Sequence, residues 1–134
     1  MKVLAVILGM FVLIIIIVGS NSQNAKTPLP PDPESDAALL AVMAVRKAQR
    51  NPDSFVLEQA MVMDKAVCLA WRGQNGFGGM NRGQSVVARD LTYAFNDHEN
   101  GFIKAWNRDC ANKSGRDLTS IMQGHLRYNS SYFR

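Results

Sequence analysis

The side chains with the most latent chemistry are Cys68 and Cys110, the only two cysteines, and the two histidines His98 and His125. Three chemistries compete for them. A nucleophilic thiolate would need Cys68, a base in His98 or His125, and an orienting Asn96 or Asp97. Cys68 stands between Val67 and Leu69 in an apolar run, where a thiol stays protonated and inert. A zinc site built from both cysteines and both histidines would need CxxC or HxxxH spacing, and neither is present. The third chemistry is oxidation. An even cysteine count in a small exported domain points to a disulfide. The pair lies 42 residues apart, and closing a loop of that size stabilises a fold by about 4 kcal/mol in the chain-entropy model. Whole domains are stable by only about 5–15 kcal/mol. The expectation is a Cys68–Cys110 disulfide, no catalytic residue, no metal and no cofactor.

That expectation depends on export, and the N-terminus supplies it. Val3 to Val18 carries no polar side chain and no proline, and Lys2 precedes it. A charge followed by such a run is the pattern of a signal peptide or signal anchor. The run is longer than most secretory h-regions and shorter than most spanning helices, so an uncleaved single span and a cleaved signal both stand. Val18, Ser20 and Ser22 have the small or aliphatic character a peptidase accepts, but no Ala-x-Ala occurs there. The expected first partner is a membrane, through this N-terminal helix. Everything large follows the segment, so the domain is expected outside the cytoplasm, periplasmic or extracellular, and secreted if cleavage occurs. Asn21 to Pro33 carries Pro28, Pro30, Pro31 and Pro33, which favours an extended, semi-rigid spacer. The plan is residues 1–20 as anchor or signal, 21–35 as linker, and 36–134 as one domain.

Hydrophobic residues make up 47% of the chain and charged residues 19%, the balance of a folded protein. The formal net charge is +4. The basic residues are spread out, with Arg72, Arg82 and Arg89 scattered through a glycine-rich region, and no Lys/Arg block marks a nucleic-acid surface. Nucleic acid is not an expected partner.

The elements follow from local pattern. Ser35 or Asp36 can cap a helix over Ala37 to Arg50, a stretch rich in good helix formers that Pro52 stops. Phe55–Met63 and Ala66–Trp71 read as strands joined by a tight Asp64-Lys65 turn. Gly73 to Gly83 holds five glycines and reads as a loop, bulge or sharply bent strand. Ser85–Ala88 and Leu91–Phe95 are two further expected strands, Asn96–Gly101 a turn, and Phe102–Trp106 a last strand. Ser114, with Asp117 three residues on, is expected to open a short C-terminal helix, with Leu118, Ile121, Met122 and Leu126 on its apolar face. The tail Tyr128 to Arg134 is expected to fray. The fold class is α+β: one helix packed on a small antiparallel sheet, with a short C-terminal helix and the N-terminal membrane or signal helix.

Several of these stretches also carry a resemblance. Asn51-Pro52-Asp53-Ser54-Phe55, then Ala66-Val67-Cys68, then Asn75-Gly76-Phe77-Gly78-Gly79, and Trp106 with Cys110 near the end resemble a family of small uncharacterised bacterial and prophage exported proteins. The resemblance covers about Leu39 to Cys110. It implies a secreted or membrane-anchored α+β domain and implies no activity. Many members carry a polar Gly-Glu-Val after the cysteine, where this chain has Leu69-Ala70-Trp71.

The glycine-rich loop is the remaining candidate site. Asn75 and its neighbouring glycines tolerate left-handed backbone. Phe77 and Met80 are expected to fold back as a plug on the core; projection as a binding tip is the rival reading. No GxGxxG or Lys-Ser/Thr ending marks a phosphate loop. The expected function is a non-enzymatic envelope module contacting a protein or an envelope polymer. Its candidate surface is Trp71, Asn75, Phe77, Met80, Arg82 and Trp106, because aromatics and arginine are favoured at interfaces. Two alternatives are a Cys/His-dependent envelope enzyme and a structural subunit of a membrane complex that packs through Ala5 and Gly9.

Overall fold

Ala66 to Trp71 is apolar at every position, and such a strand can be stable only if both of its faces are covered. The computed structural model, which describes residues 31–128, covers both. This strand belongs to β2 (Ala66–Gln74), the middle of an antiparallel sheet of order β4-β3-β2-β1-β5. Val67, Leu69 and Trp71 join one buried cluster, while Ala66 and Cys68 join a second. The first cluster is roofed by α1 (Pro33–Lys47) and α3 (Thr119–Tyr128), the second by α2 (Phe102–Asp109). The fold is therefore α+β, with three helices and a five-stranded sheet. The apolar N-terminal segment, most of the spacer and the last six residues lie outside the described residues. Among the described residues no helix is long and apolar enough to cross a membrane.

The first helix begins earlier than its sequence suggests. Its cap is Asp32, not Ser35 or Asp36: the Asp32 carboxylate accepts from the Glu34 and Ser35 N–H groups and from the Ser35 hydroxyl. Pro33 takes the first helical position, where its missing N–H costs nothing. The last proline of the spacer thus starts a helix instead of blocking one. Glu34 and Asp36 in the first turn and Arg46 and Lys47 in the last complement the helix dipole. Ala38, Ala41, Val42 and Val45 face the sheet at helical spacing. The helix stops at Lys47, short of Arg50, and Pro52–Ser54 forms a separate 3-10 turn.

The hairpin of β1 (Val56–Val62) and β2 stands as expected, closed by Asp64-Lys65 with the Met63 N–H on the Ala66 carbonyl at 2.8 Å. The glycine-rich stretch is more regular than expected. Strand β3 (Met80–Ala88) pairs with β2 in unbroken register from Ala66↔Ala88 to Gln74↔Met80, which leaves only residues 75–79 as a loop. Gly83 lies opposite Trp71, and a Cβ there would come within 2.5 Å of the indole ring. Glycine at 83 is the space the tryptophan occupies. The indole N–H donates to the Ser85 hydroxyl at 2.8 Å, and that hydroxyl donates to Asn96 at 2.6 Å. Ser85 is fully buried, so this relay satisfies polar groups that would otherwise be costly.

Three expectations fail after residue 88. The strand proposed for Leu91–Phe95 shrinks to β4 (Ala94–Asn96), because Asp90 folds the chain into a turn through Thr92 and Leu91 takes a left-handed φ of 60°. Phe102–Trp106 is not a strand but the start of α2. Phe102, Ala105 and Cys110 are buried and Trp106 packs against them, spacings of three, four and eight that fit a helix. Gly101, at a φ of 98°, turns the chain into it. Ser114 opens no helix. Arg116–Asp117 forms β5 against Met61 and Val62, and Asp117 accepts the Thr119 N–H at 2.8 Å to begin α3. Leu118 and Met122 are buried, whereas Ile121 is exposed, and Tyr128 ends the helix.

The disulfide joins Cys68 to Cys110, with Cα atoms 5.9 Å apart. It fastens the C-terminal end of α2 to the central strand.

Gly83→Ala should destabilise the domain by about 1–3 kcal/mol through overpacking, read as a shift of the urea midpoint. Combining it with Trp71→Leu should cost less than the two single changes together. Additive costs would mean that the ring is not what excludes a side chain at 83.

Candidate functional site: the β2–β3 hairpin tip

Residues 75–79 close the longest hairpin of the sheet, and Asn75 organises them. Its side-chain oxygen accepts from the Phe77 and Gly79 N–H groups, each at 2.9 Å. Its amide donates to Asn81 at 3.2 Å, and its backbone N–H donates to the Gly79 carbonyl at 2.7 Å. Gly78 turns the chain at a φ of 86°, and its carbonyl accepts from Gln74 at 3.2 Å. The base is braced from below: Asn51 donates to Gln74 at 2.7 Å, and the Ser54 hydroxyl accepts the Gln74 N–H at 2.8 Å. The turn is thus held by its own polar groups and needs no apolar contact to keep its shape.

Phe77 has none. It is fully solvent-exposed, at 101% of its reference area, and Met80 beside it is 51% exposed. The expected plug is therefore corrected: the core position beneath the hairpin is already filled by Trp71 over Gly83, and the locally bonded turn holds Phe77 outward. Arg82 is also exposed and shares the Glu58 carboxylate with Arg72, at 3.3 and 2.8 Å. The tip is an aromatic and a methionine beside two arginines clamped by one glutamate.

Two of the six expected surface residues are not part of it. Trp71 is a core residue, 7% exposed, its ring tilted against that of Phe55 with centroids 6.0 Å apart. Trp106 packs on Phe102 at 5.3 Å in the second cluster, with Cys68. Cys68 lies six residues along β2 from Gln74, roughly 20 Å at strand rise. The tip comprises Asn75, Phe77, Met80 and Arg82. The cysteine–histidine constellation is not assembled either. Cys68 is bonded to Cys110, no cysteine is free, and His98 faces Asp97 at 3.5 Å on the surface.

One polar cluster escaped the sequence. The Asp109 carboxylate, 3% exposed, accepts from Arg108 Nε and Nη2 at 2.8 and 2.6 Å and from the Tyr93 hydroxyl. The guanidinium lies over the Tyr93 ring, 5.1 Å from its centre. An acid in the last turn of a helix opposes the dipole, so these partners are what hold it ionised. Hydrogen bonds from Arg108 keep the Asp109 carboxyl below the usual range, and burial with the bond to Asp109 pushes the Tyr93 phenol up. The missed signal was the helix itself: with Phe102–Trp106 read as a strand, Asp109 had no position.

No protein-family model, curated protein or solved structure matches the chain.

Because the folded pKa of Asp109 is depressed, its contribution is present above the unfolded value of about 3.9 and is lost as pH falls through the folded value. Asp109→Asn should lower stability at pH 7 by about 2 kcal/mol, the scale of hydrogen bonds to a charged group. The gap between the denaturant curves of variant and parent should narrow as pH falls from 7 through the folded value. A gap of unchanged size across that range would mean that the ionised form does no stabilising.

Proposed function

We propose that this chain is a non-enzymatic binding module of the cell envelope. In this reading its apolar N-terminus holds it at a membrane or exports it, and the β2–β3 hairpin tip contacts a protein or an envelope polymer. The observation that carries the reading is Phe77, a fully exposed aromatic on a turn whose backbone is already hydrogen-bonded. Phe77 contributes nothing to the core, and with Met80 beside it forms an apolar spot suited to a contact. The ring has few rotamers to lose, and the turn is already ordered, so binding carries a small entropic cost. Phe77 and Met80 suit an apolar recess, and Arg72 and Arg82 suit an acidic rim around it.

The disulfide supports the exported setting, since such bonds persist in oxidising compartments. The domain supplies no free thiol to a Cys/His enzyme, which leaves binding as the better account of the tip.

A photo-crosslinking residue placed at position 77 of the full chain, in cells, tests this. A discrete adduct is expected at 77 and not at 103, an exposed apolar position on α2 where Ile103 is 68% exposed. Once the adduct is identified, Phe77→Ala should weaken its binding at least about tenfold, as at an interface hot spot. No adduct at 77, or the same adduct at both positions, contradicts the proposal.

A further inference from the structure

At the opposite end of β2 from the tip, three segments enclose an open pocket of about 760 Å³. They are the β1–β2 turn, the end of β3 with the turn after it, and the end of α2 with the residues that follow. Ala88 and the Tyr93 ring are the apolar side chains of its lining, and the other lining side chains carry a charge or a hydroxyl. Four cations reach it from all three segments: Lys65, Arg89, Arg108 and Lys113.

Of the three wall acids Asp109 alone is charge-paired, while Asp90 is hydrogen-bonded but keeps its charge. Asp90 accepts from the Thr92 N–H and hydroxyl, at 3.1 and 2.7 Å. Asp109 is held by Arg108 and Tyr93. The cations keep spare capacity. Arg108 spends Nε and Nη2 on Asp109, which leaves Nη1. Arg89 makes one long contact to the Asp64 carbonyl at 3.4 Å and one to Glu34 at 3.9 Å. Among the described residues no hydrogen bond or ion pair engages the ammonium groups of Lys65 and Lys113. Lys113 is close enough to help lower the Asp109 pKa, so its charge is felt at the pocket wall.

The walls are also set before any ligand arrives. The disulfide fixes the end of α2, Leu91 and Asn112 hold left-handed turns on two sides, and Arg108 lies over the Tyr93 ring and is bonded to Asp109. Preorganised donors lose little entropy on binding. Planar guanidinium and mobile ammonium groups together match the oxygens of a phosphate or carboxylate.

We infer that this pocket binds an anionic oxygen group, a phosphate or carboxylate, through Lys65, Lys113 and Arg108, with Arg89 at its edge. The site is independent of the hairpin tip. Asp64, the one wall carboxylate without a partner among the described residues, opposes such a ligand, so its removal should strengthen binding.

Calorimetric titration of the full chain in detergent at low salt tests this, with pyrophosphate and citrate as separate probes. Saturable binding of at least one probe is expected, and the better probe tells phosphate from carboxylate. Lys65→Ala with Lys113→Ala should weaken it at least tenfold, whereas Lys47→Ala with Arg127→Ala, an equal charge loss outside the pocket lining, should change it less than twofold. Asp64→Asn should tighten it. No saturable binding of either probe, or equal loss in both double variants, overturns the inference. Asp64→Asn without effect or with weaker binding would overturn the placement of the anion. None of these outcomes depends on Phe77.

Discussion

The structure depends on covering a strand that has no polar face. Each of the six residues from Ala66 to Trp71 is apolar, and five of them are buried. One side is covered by α1 and α3, which bring a conventional apolar stripe. The other side is covered by α2 alone, an eight-residue helix. Helices of that length are marginal in isolation, and their stability comes from tertiary packing. The disulfide from Cys68 therefore lies where the packing is thinnest. It joins the middle of the central strand to the end of the shortest helix, and the second cluster forms around it.

The rest of the polar accounting follows from the same arrangement. Outside β2 the sheet must end on both sides, and exposed edges invite unwanted pairing. On one side β1 is covered rather than left open. The Ala60 carbonyl accepts the Leu118 N–H, the Ala60 N–H donates to the Thr119 hydroxyl, and Gln123 caps the Leu57 carbonyl. On the other side β4 has only three residues, and the Ser85–Asn96 hydrogen bond ties it to β3. Arg116 then binds Asp32 and Glu34, linking β5 to the cap of α1. Each segment that carries an exposed candidate residue is thus anchored to the central strand within one or two contacts.

The sequence was legible where one signal dominated. The Asp64-Lys65 hairpin, the first helix and the cysteine pair could be read from turn chemistry, periodicity and an even count. Legibility failed where two patterns shared the same residues. Phe102-Ile103-Lys104-Ala105-Trp106 is a short apolar run broken only by Lys104, which passes for a strand, and only the spacing to Cys110 shows the helix. Pro33 looked like the end of a spacer because the cap that makes it a first helical residue is Asp32. Five glycines between 73 and 83 suggested irregularity, yet Gly83 is a strand residue shaped by the ring across from it. The candidate site was half legible. Asn75, Phe77, Met80 and Arg82 are together, the last three exposed and Asn75 half-buried, but no local feature distinguishes a tryptophan that fills the core from one that lines a surface. The Tyr93–Arg108–Asp109 cluster was out of reach, because it joins residues sixteen positions apart through a helix that had been misread.

An oxidised Cys68–Cys110 pair ties α2 to the sheet, and the proposed envelope setting is one in which such a bond persists. Thiol labelling of the full chain in fractionated cells, with a heavy maleimide on denatured samples with and without prior reduction, reads the pair directly. No mass shift is expected without reductant and a shift of two labels with it. Two labels without reductant would contradict the pairing, and would return Cys68 to the pool of reactive side chains.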